Sequence, residues 1–281
     1  MIGIVILNYK SSKLILKLLK DLEDIKEVKK IIIVDNNSQD DSVETFRKVI
    51  NKKIILIENK ENRGYASGNN IGIKYLINNF KKINYITILN PDIEISNKNI
   101  FIILKNFLEK NKEAGIIAPL MFLNGKYLES LISWKMPEKF DNLFNCLGIT
   151  KKIENIFQRK KEKNVIPGSF LFFKKEIIEN INYLDEGTFL YYEENILAQK
   201  LKKIKKKMLI VSNINYNHVH SSERKKLKNK LFHNNIYFNS MIYYEKKYNQ
   251  KYSKITIPII KILFLIRKIE IFFKSYFYDL R

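Results

Sequence analysis

The sequence predicts an α/β protein with a mostly parallel central sheet flanked by helices and a helical, basic C-terminal extension. Four short apolar runs lack the alternation of a half-exposed strand, which indicates strands buried on both faces, at residues 2–7, 31–35, 54–58 and 85–89. Segments with apolar residues at helical spacing separate these runs, a pattern typical of βαβ units. The 281 residues are 46% hydrophobic, which is enough to bury a large core.

Helices are expected between and after these strands, at residues 12–22, 42–50, 64–80 and 97–110. The first should turn Leu14, Leu18 and Leu19 toward the sheet. Further along, the pattern predicts strands at 115–118, 169–173 and 208–211 and a helix at 193–207.

The stretch from residue 120 to 163 is less regular. Asn124-Gly125 is a hairpin turn signal, and Trp134 lies in a segment that we expect near the substrate. From residue 222 onward the pattern is helical and basic. The chain is therefore expected to divide into a domain of residues 1–221 and an extension of residues 222–281.

Positive charge is concentrated at the end of the chain. The formal net charge is +22, and residues 200–281 contain 20 Lys and Arg against 4 Asp and Glu, or +16 of that total. Such a segment suggests an anionic partner: a membrane surface, a nucleic acid or a phosphorylated lipid.

Cysteine content and hydropathy limit the class of protein. Cys146 is the single cysteine, which excludes a disulfide within the chain. No run of about 18 apolar residues is present, so no membrane-spanning helix is expected, and the N-terminal apolar run is too short for a secretion signal. The expected location is the cytoplasm, with peripheral contact at the inner face of the cell membrane.

The fourth predicted strand ends in Asn90-Pro91-Asp92. Pro91 donates no amide hydrogen, so pairing ends there, and ligands of α/β sheets bind at the carboxyl ends of the strands. A carboxylate here can hold Mg²⁺ or Mn²⁺ together with nucleotide phosphates. Alternatively, Asp92 serves only the turn.

Two other segments follow strands or begin helices at the same expected edge. Asp35 can accept from a nucleotide base or a ribose hydroxyl, or it can cap the next turn. Arg63, Gly64 and Gly68 lie at a helix start, where two glycines allow backbone to approach a ligand and an arginine suits an anion.

Acidic and histidine residues supply further candidates. Glu193 and Glu194 open a predicted helix, where the helix dipole alone favours them, but such a carboxylate can also act as a general base on a hydroxyl. His218 and His220 follow the last predicted strand and can bind a metal or belong to an ordinary basic surface. No Ser-His-acid or Cys-nucleophile arrangement indicates a covalent hydrolase.

Together these segments resemble the family-2 glycosyltransferases, which have the GT-A fold. The resemblance extends from Met1 to Ser222, and its parts occur in the family's order, at residues 4–9, 34–38, 62–70, 89–92, 167–172, 184–186, 189–194, 218 and 222. Within the family, the chain is most similar to rhamnosyltransferase-like enzymes of cell-surface polysaccharide assembly.

The resemblance implies an inverting glycosyltransferase with Mg²⁺ or Mn²⁺ as cofactor. It would move a hexosyl or rhamnosyl group from a UDP- or dTDP-linked sugar to a glycan or a polyprenyl-diphosphate-linked acceptor. Glu194 would be the catalytic base, with Glu193 beside it, and Asp92 and His218 would contact the metal. The nucleotide sugar would be bound by Asn8, Asp35, Asn37, Arg63, Gly64, Asn69, Asn90 and Asp92.

Two positions depart from the family pattern. Asn90 stands where the D-x-D motif has its first Asp, which lowers the negative charge offered to a metal. Glu194 stands where Asp is usual, so its carboxylate reaches further. The similar subgroup uses both forms, so an active enzyme is expected.

The C-terminal extension carries a separate prediction. Its apolar stripe consists of Ile259, Ile262, Ile266, Ile269 and Phe273, and basic residues lie off that stripe. Helices of this kind lie in the membrane interface and are attracted by anionic lipids. The alternatives are packing on the catalytic domain or on a second copy of the chain, as in a homodimer.

Two other functions fit part of the sequence. A sugar-1-phosphate nucleotidyltransferase also uses an α/β nucleotide-binding sheet, but residues 8–12 lack the glycine of its phosphate loop. A nucleic-acid-binding protein would account for the charge, yet no nucleic-acid motif is recognised and the first 199 residues carry only +6, the difference between +22 and +16.

Overall fold

The structure is a computed structural model that describes residues 1–150, 163–219 and 227–279. Within these ranges the strands are β1 (Ile2–Asn8), β2 (Val28–Asp35), β3 (Ile54–Glu58), β4 (Tyr85–Leu89), β5 (Ile93–Glu94), β6 (Ala114–Leu123), β7 (Lys126–Tyr127), β8 (Phe170–Lys174) and β9 (Lys207–His218). The helices are α1 (Ser12–Glu23), α2 (Ser42–Arg47), α3 (Tyr65–Asn79), α4 (Ile100–Lys110), α5 (Glu129–Ile132), α6 (Asp141–Leu147), α7 (Lys175–Asn180), α8 (Glu193–Lys203), α9 (Leu227–Tyr248) and α10 (Gln250–Asp279).

The strands form a mixed sheet in the order β3-β2-β1-β4-β8-β6-β9-β5, with β7 paired to β6. The first four strands of the chain pair in parallel, as do β6 and β9. Strand β8 is antiparallel to both of its neighbours, β4 and β6. The predicted α/β architecture with a mostly parallel sheet and flanking helices is confirmed.

Two apolar cores lie on the two faces of the sheet. In β1, Ile4 and Ile6 belong to one core and Val5 to the other, because successive side chains of a strand point to opposite faces. The first core is completed by α1, α2 and α4, and the second by α3, α7 and α8. The carboxyl ends of the strands are thus held at one edge of a well-packed layer.

Helix α3 packs closely on the sheet through two glycines. A Cβ atom at Gly68 would lie 2.3 Å from Leu7, and one at Gly72 would lie 2.5 Å from Val5. Neither distance leaves room for a side chain. Gly68 therefore serves the contact between helix and sheet, and its approach to a ligand stays a prediction.

Several element boundaries differ from the sequence prediction. Helix α8 ends at Lys203 rather than at 207, and β9 continues past 211 to His218. Leu14, expected to face the sheet, is 42% exposed, whereas Ile15 is fully buried. Leu18 and Leu19 are buried as expected. Only the first position differs, because Leu14 and Ile15 are both apolar and the pattern permits either.

The hairpin turn at Asn124-Gly125 is confirmed. Both residues have positive φ, at 48° and 75°, and the turn joins the antiparallel strands β6 and β7. Strand β5 is too short to leave a hydrophobic pattern, and the sequence does not predict it.

The two C-terminal helices pack on the rest of the chain through a third apolar cluster. Tyr244 and Ile260 are fully buried there, next to Tyr192 from the segment before α8. The outer face of α10 is open, with Ile262 at 62% and Ile266 at 49% exposure. The extension therefore uses one face for packing on the preceding part of the chain, while the predicted stripe stays exposed at Ile259, Ile262, Ile266 and Ile269.

Some predicted features cannot be placed. The division between residues 221 and 222 lies outside the described residues, as do His220, Ser222 and the side chain of Phe273. In the described ranges, none of the helices combines the length and apolar character needed to cross a membrane.

Candidate active site

Two polar side chains meet where β1 and β2 end. Asn8 lies opposite Asp35 in the strand register, and its Nδ2 donates to Asp35 Oδ1 at 2.7 Å. Ser38 donates to the same carboxylate from its hydroxyl at 2.6 Å and from its backbone N–H at 3.1 Å. Asn8 is fully buried and Asp35 is 3% exposed. Asp35 thus caps the next turn, and the buried side chain of Asn8 donates a hydrogen bond to it.

Side-chain amides connect the end of β2 to the loop before α3. Asn36 Nδ2 donates to Asn62 Oδ1 at 2.7 Å, and Asn59 Nδ2 donates to Asn36 Oδ1 at 3.0 Å. Asn62 Oδ1 also accepts from the Gly64 N–H at 3.0 Å. Asn37, which follows Asn36 with a φ of 57°, is partly exposed beside this network.

Gly64 lies in tight contact with the segment that precedes α8. Its φ of 90° and ψ of −174° belong to a region that is essentially restricted to glycine. A Cβ atom here would lie 2.1 Å from the Phe189 carbonyl oxygen, which accepts the Tyr65 N–H at 2.9 Å. The neighbouring Arg63 is 64% exposed and lies 3.6 Å from Glu61. The close approach predicted for Gly64 is thus made to protein backbone.

Asp92 and His218 form a pair on neighbouring strands. Ile93 pairs with His218 across β5 and β9, and the Val219 N–H donates to the Asp92 carbonyl at 2.8 Å. This register brings Asp92 Oδ1 to 3.0 Å from His218 Nε2. Carboxylate oxygen and imidazole nitrogen are both ligands for divalent cations such as Mn²⁺.

The described residues contain no group of three or more His, Cys, Asp and Glu side chains that converges on one point. A cation held by Asp92 and His218 would therefore take its remaining ligands from substrate phosphates and water, as Mg²⁺ and Mn²⁺ commonly do. The chemistry of the pair fits that kind of shared site.

Glu193 and Glu194 begin α8 after two residues in the left-handed region, Tyr191 with φ 73° and Tyr192 with φ 70°. The Gly168 N–H donates to Glu194 Oε1 at 3.1 Å. Among the described residues, Glu193 Oε1 is buried without a hydrogen-bond partner. The turn thus presents two adjacent carboxylates at the start of α8.

The two carboxyl groups have raised pKa values. Burial, and then the charge of Glu194, raise the pKa of Glu193 to about 8. Burial also raises the pKa of Glu194, against the opposing effect of the Gly168 hydrogen bond. The charge of Glu194 contributes to the shift at Glu193, so the two carboxyl groups titrate as a coupled pair. Strongly perturbed carboxyl groups in a cavity are typical of catalytic sites.

Some of these residues line a cavity of about 490 Å³. Glu193 and Glu194 line it together with Asn90 and His218. Trp134 also lines it and donates from Nε1 to Asn195 Oδ1 at 2.9 Å, so the irregular stretch does reach the site. The cavity is large enough for a sugar ring and an acceptor hydroxyl.

Residues 3–181 match the family described as Glycosyl transferase family 2, which is more than half of the chain. The chain belongs to this family. The family prediction is confirmed, whereas the narrower likeness to rhamnosyltransferases stays a prediction.

Two relatives illustrate the family's range. The chain is 29% identical over 193 residues to the low-salt glycan biosynthesis hexosyltransferase Agl10 of Haloferax volcanii, which covers 69% of this chain and 59% of the relative. It is 24% identical over 176 residues to the poly-beta-1,6-N-acetyl-D-glucosamine synthase of Staphylococcus aureus (strain COL), which covers 62% of this chain and 39% of the synthase. The chain thus matches three fifths or less of the length of these relatives.

Two solved structures share the fold. The mannosyltransferase PcManGT from Pyrobaculum calidifontis, solved with GDP-Man and Mn²⁺, aligns with a TM-score of 0.59 at 11% identity over 95% of this chain and 68% of its own. S. aureus TarS 1-349 with UDP aligns with a TM-score of 0.53 at 13% identity over 88% and 72%. These alignments confirm the predicted GT-A fold.

The predicted site residues fall into two groups. Four of them line the cavity, namely Asn90, Glu193, Glu194 and His218. The others, Asn8, Asp35, Asn37, Arg63, Gly64, Asn69 and Asp92, lie outside its lining. Asn69 is fully buried in α3 and donates to the Tyr65 carbonyl at 3.0 Å, which makes it a helix-internal group in this structure.

Sequence reasoning missed several residues of the cavity wall. Tyr237, from α9, lines it although the basic extension gave no sign of a contribution. Ser169 also lines it and lies 2.6 Å from the hydroxyl of the buried Tyr216. Their positions depend on long-range packing, and no local motif marks them.

Proposed function

We propose that the protein is an inverting glycosyltransferase that transfers a hexosyl or deoxyhexosyl group from a nucleoside-diphosphate sugar to a hydroxyl of a glycan or lipid-linked acceptor. The observation that carries the proposal is the cavity itself. Two carboxyl groups with raised pKa values, Glu193 and Glu194, line it together with Asn90 and His218 from the strand ends. Family membership supports the same reaction class.

Glu194 is the general base in this proposal. Its carboxylate is oriented by the Gly168 N–H, and it stands at the position of the family's catalytic acidic residue. It removes the proton of the acceptor hydroxyl while the oxygen attacks the anomeric carbon from the face opposite the diphosphate. The new glycosidic C–O bond forms as the bond from the anomeric carbon to the diphosphate breaks, so the configuration inverts and a nucleoside diphosphate leaves.

Asp92 and His218 serve the leaving group. The pair would hold Mg²⁺ or Mn²⁺, which supplies positive charge next to the diphosphate. Asn90 keeps a neutral amide at the edge of the cavity, and Arg63 places an exposed guanidinium on the nucleotide side of the sheet edge, where it can bind phosphate oxygens. Asp35 is the proposed contact for the base or ribose.

The central experiment compares Glu194→Gln with wild type on a panel of nucleoside-diphosphate sugars. Loss of the base should reduce turnover by roughly 10²–10⁴-fold while calorimetric donor affinity stays unchanged. Glu194→Asp, the residue more usual in the family, is the matched variant and should keep measurable turnover. Near-normal turnover of Glu194→Gln would remove Glu194 as base. Release of pyrophosphate in place of a nucleoside diphosphate would favour a nucleotidyltransferase.

We also propose that the exposed face of α10 binds an anionic membrane surface. Ile255, Ile259, Ile262, Leu265 and Ile266 are each at least 39% exposed on this helix. Lys261, Arg267 and Lys268 lie near them, and basic amphipathic helices insert their apolar face at the level of the headgroups. This contact would bring the cavity near a lipid-linked acceptor at the inner face of the membrane.

Flotation with vesicles that contain phosphatidylglycerol tests the membrane contact. Because Thr256 and Ile260 are buried, deletion of the helix would disrupt packing, and the sharper change is Ile262→Ser with Ile266→Ser. The double variant should lose flotation at an unchanged melting temperature. Leu131→Ser, an exposed apolar residue on α5, is the control. Unchanged flotation of the double variant would refute the contact.

A further inference from the structure

Glu245 is a buried carboxylate that the proposed reaction does not use. It lies in α9 with no exposed surface. It accepts from Asn142 Nδ2 at 2.7 Å, from Asn249 Nδ2 at 2.8 Å and from the Thr256 hydroxyl. All three donors are neutral, and a buried carboxylate balanced only by neutral donors costs folding free energy. A role in fixing its neighbours would account for that cost.

The network continues to the catalytic turn. Asn142, in α6, is 1% exposed, and its Oδ1 accepts from the Tyr192 hydroxyl at 2.8 Å. Tyr192 immediately precedes Glu193, and its carbonyl accepts the Ile196 N–H at 2.9 Å in the first turn of α8. Two side-chain hydrogen bonds therefore connect the Glu245 carboxylate to Tyr192, the residue immediately before α8.

The carboxylate also sets the direction of every bond in this chain. An ionised carboxylate only accepts, so Asn142 must turn its NH₂ group to Glu245 and its carbonyl oxygen to Tyr192. Tyr192 must then donate. A neutral glutamine of the same shape would offer both a donor and an acceptor, and Asn142 could then flip. Glu245, as the acceptor of three hydrogen bonds, thus specifies one arrangement at Tyr192.

The catalytic turn needs such support. Tyr191 and Tyr192 both lie in the left-handed region, which disfavours residues with a side chain. Helix α9 supplies two more contacts to the same turn: the Ser240 hydroxyl donates to the Leu190 carbonyl at 2.8 Å, and His233 Nδ1 lies 2.9 Å from the Tyr191 hydroxyl. The strained turn is held largely by the extension.

We infer that Glu245 is a positioning residue that, through Asn142 and Tyr192, fixes the segment carrying Glu193 and Glu194 in the cavity. The kinetic part of the inference rests on the proposed function. The positioning itself does not, because it concerns the turn in the absence of substrate.

The kinetic arm uses Glu245→Gln, Tyr192→Phe and the double variant. Each single change should lower kcat on the order of tenfold with donor KM within about twofold, because binding groups on the sheet edge are untouched. The double variant should lose no more than Tyr192→Phe alone, since that single change already breaks the chain of bonds from Glu245. Tyr243→Phe is the control: its hydroxyl anchors α9 to Asp185 at 2.7 Å outside this chain, and kcat should stay unchanged.

The substrate-free arm uses tryptophan fluorescence. Trp134 is the only tryptophan in the sequence, lines the cavity and is hydrogen-bonded to Asn195, the residue after Glu194. Acrylamide quenching of Trp134 should increase in Glu245→Gln and Tyr192→Phe but not in Tyr243→Phe. This arm decides the inference even if none of the donors is turned over.

Three outcomes would overturn the inference. They are multiplicative kcat losses in the double variant, wild-type kcat in both single variants, or unchanged quenching in folded Tyr192→Phe. If Glu245→Gln fails to fold, Tyr192→Phe keeps its ring in the third cluster and carries the test alone.

Discussion

Replacing Glu193 by Gln should stabilise the protein at alkaline pH. Burial and the charge of Glu194 raise the pKa of Glu193 from 4.5 to about 8, so the folded state binds a proton that the unfolded state has released. Folding stability therefore falls as the pH rises from about 4.5 to about 8 and is constant above that. Glutamine is neutral at every pH and removes this cost.

The size of the effect follows from the same shift. A carboxyl group with this change in pKa costs roughly 5 kcal/mol of folding free energy at about pH 9 if nothing relaxes. Glu193 borders an open cavity, where water and side-chain movement screen the charge, so about 2 kcal/mol is a realistic expectation. For a chain of this size that corresponds to a melting temperature higher by roughly 4–8 °C.

The assay is thermal unfolding of wild type and Glu193→Gln at about pH 5 and about pH 9. The variant should melt higher at the alkaline pH and nearly equal to wild type at the acidic pH. Glu179→Gln, at an exposed glutamate in α7, is the control. Its melting temperature relative to wild type should be the same at both pH values. A variant that melts lower than wild type at pH 9, or shifts equally at both pH values, would refute the argument.

Three further outcomes are expected. Gly64→Ala should lower stability by about 2 kcal/mol or more, because its φ is 90° and its Cβ would meet the Phe189 carbonyl, which denaturant unfolding can measure. Asp92→Asn should abolish the dependence of donor affinity on Mn²⁺ in calorimetry, since the amide is a weak ligand beside His218, and an unchanged dependence would contradict the metal role. Asn70→Ala should cost about 2–3 kcal/mol, since the buried amide makes three hydrogen bonds to the segment at 184–186. A loss below 0.5 kcal/mol on urea unfolding would argue against a structural role for those bonds.

The sequence predicts the sheet and its edge well because both depend on local patterns. Buried parallel strands leave continuous apolar runs, and β1, β2, β3 and β4 occur where such runs do. Once these strands are placed side by side, the polar residues at their ends must lie close together. The contact of Asn8 with Asp35 follows from the strand register alone.

Other parts depend on packing that no local pattern records. The two apolar residues Leu14 and Ile15 could each face the sheet, and only the packed structure shows that Ile15 does. The contact of Gly68 with Leu7 is likewise visible only in the packed structure. The contacts of α9 with the turn before α8 come from Ser240 and His233, whose partners lie far away in sequence.

Strand β8 occupies the middle of the sheet, between β4 and β6, although it leaves the ribosome after both. During synthesis β1 to β4 can pair early. The edge of β4 that pairs with β8 then remains without a partner strand until residues 170–174 have been synthesised. An uncovered apolar edge can pair with other chains. The nascent protein is therefore expected to be most exposed to aggregation between the emergence of β4 and that of β8.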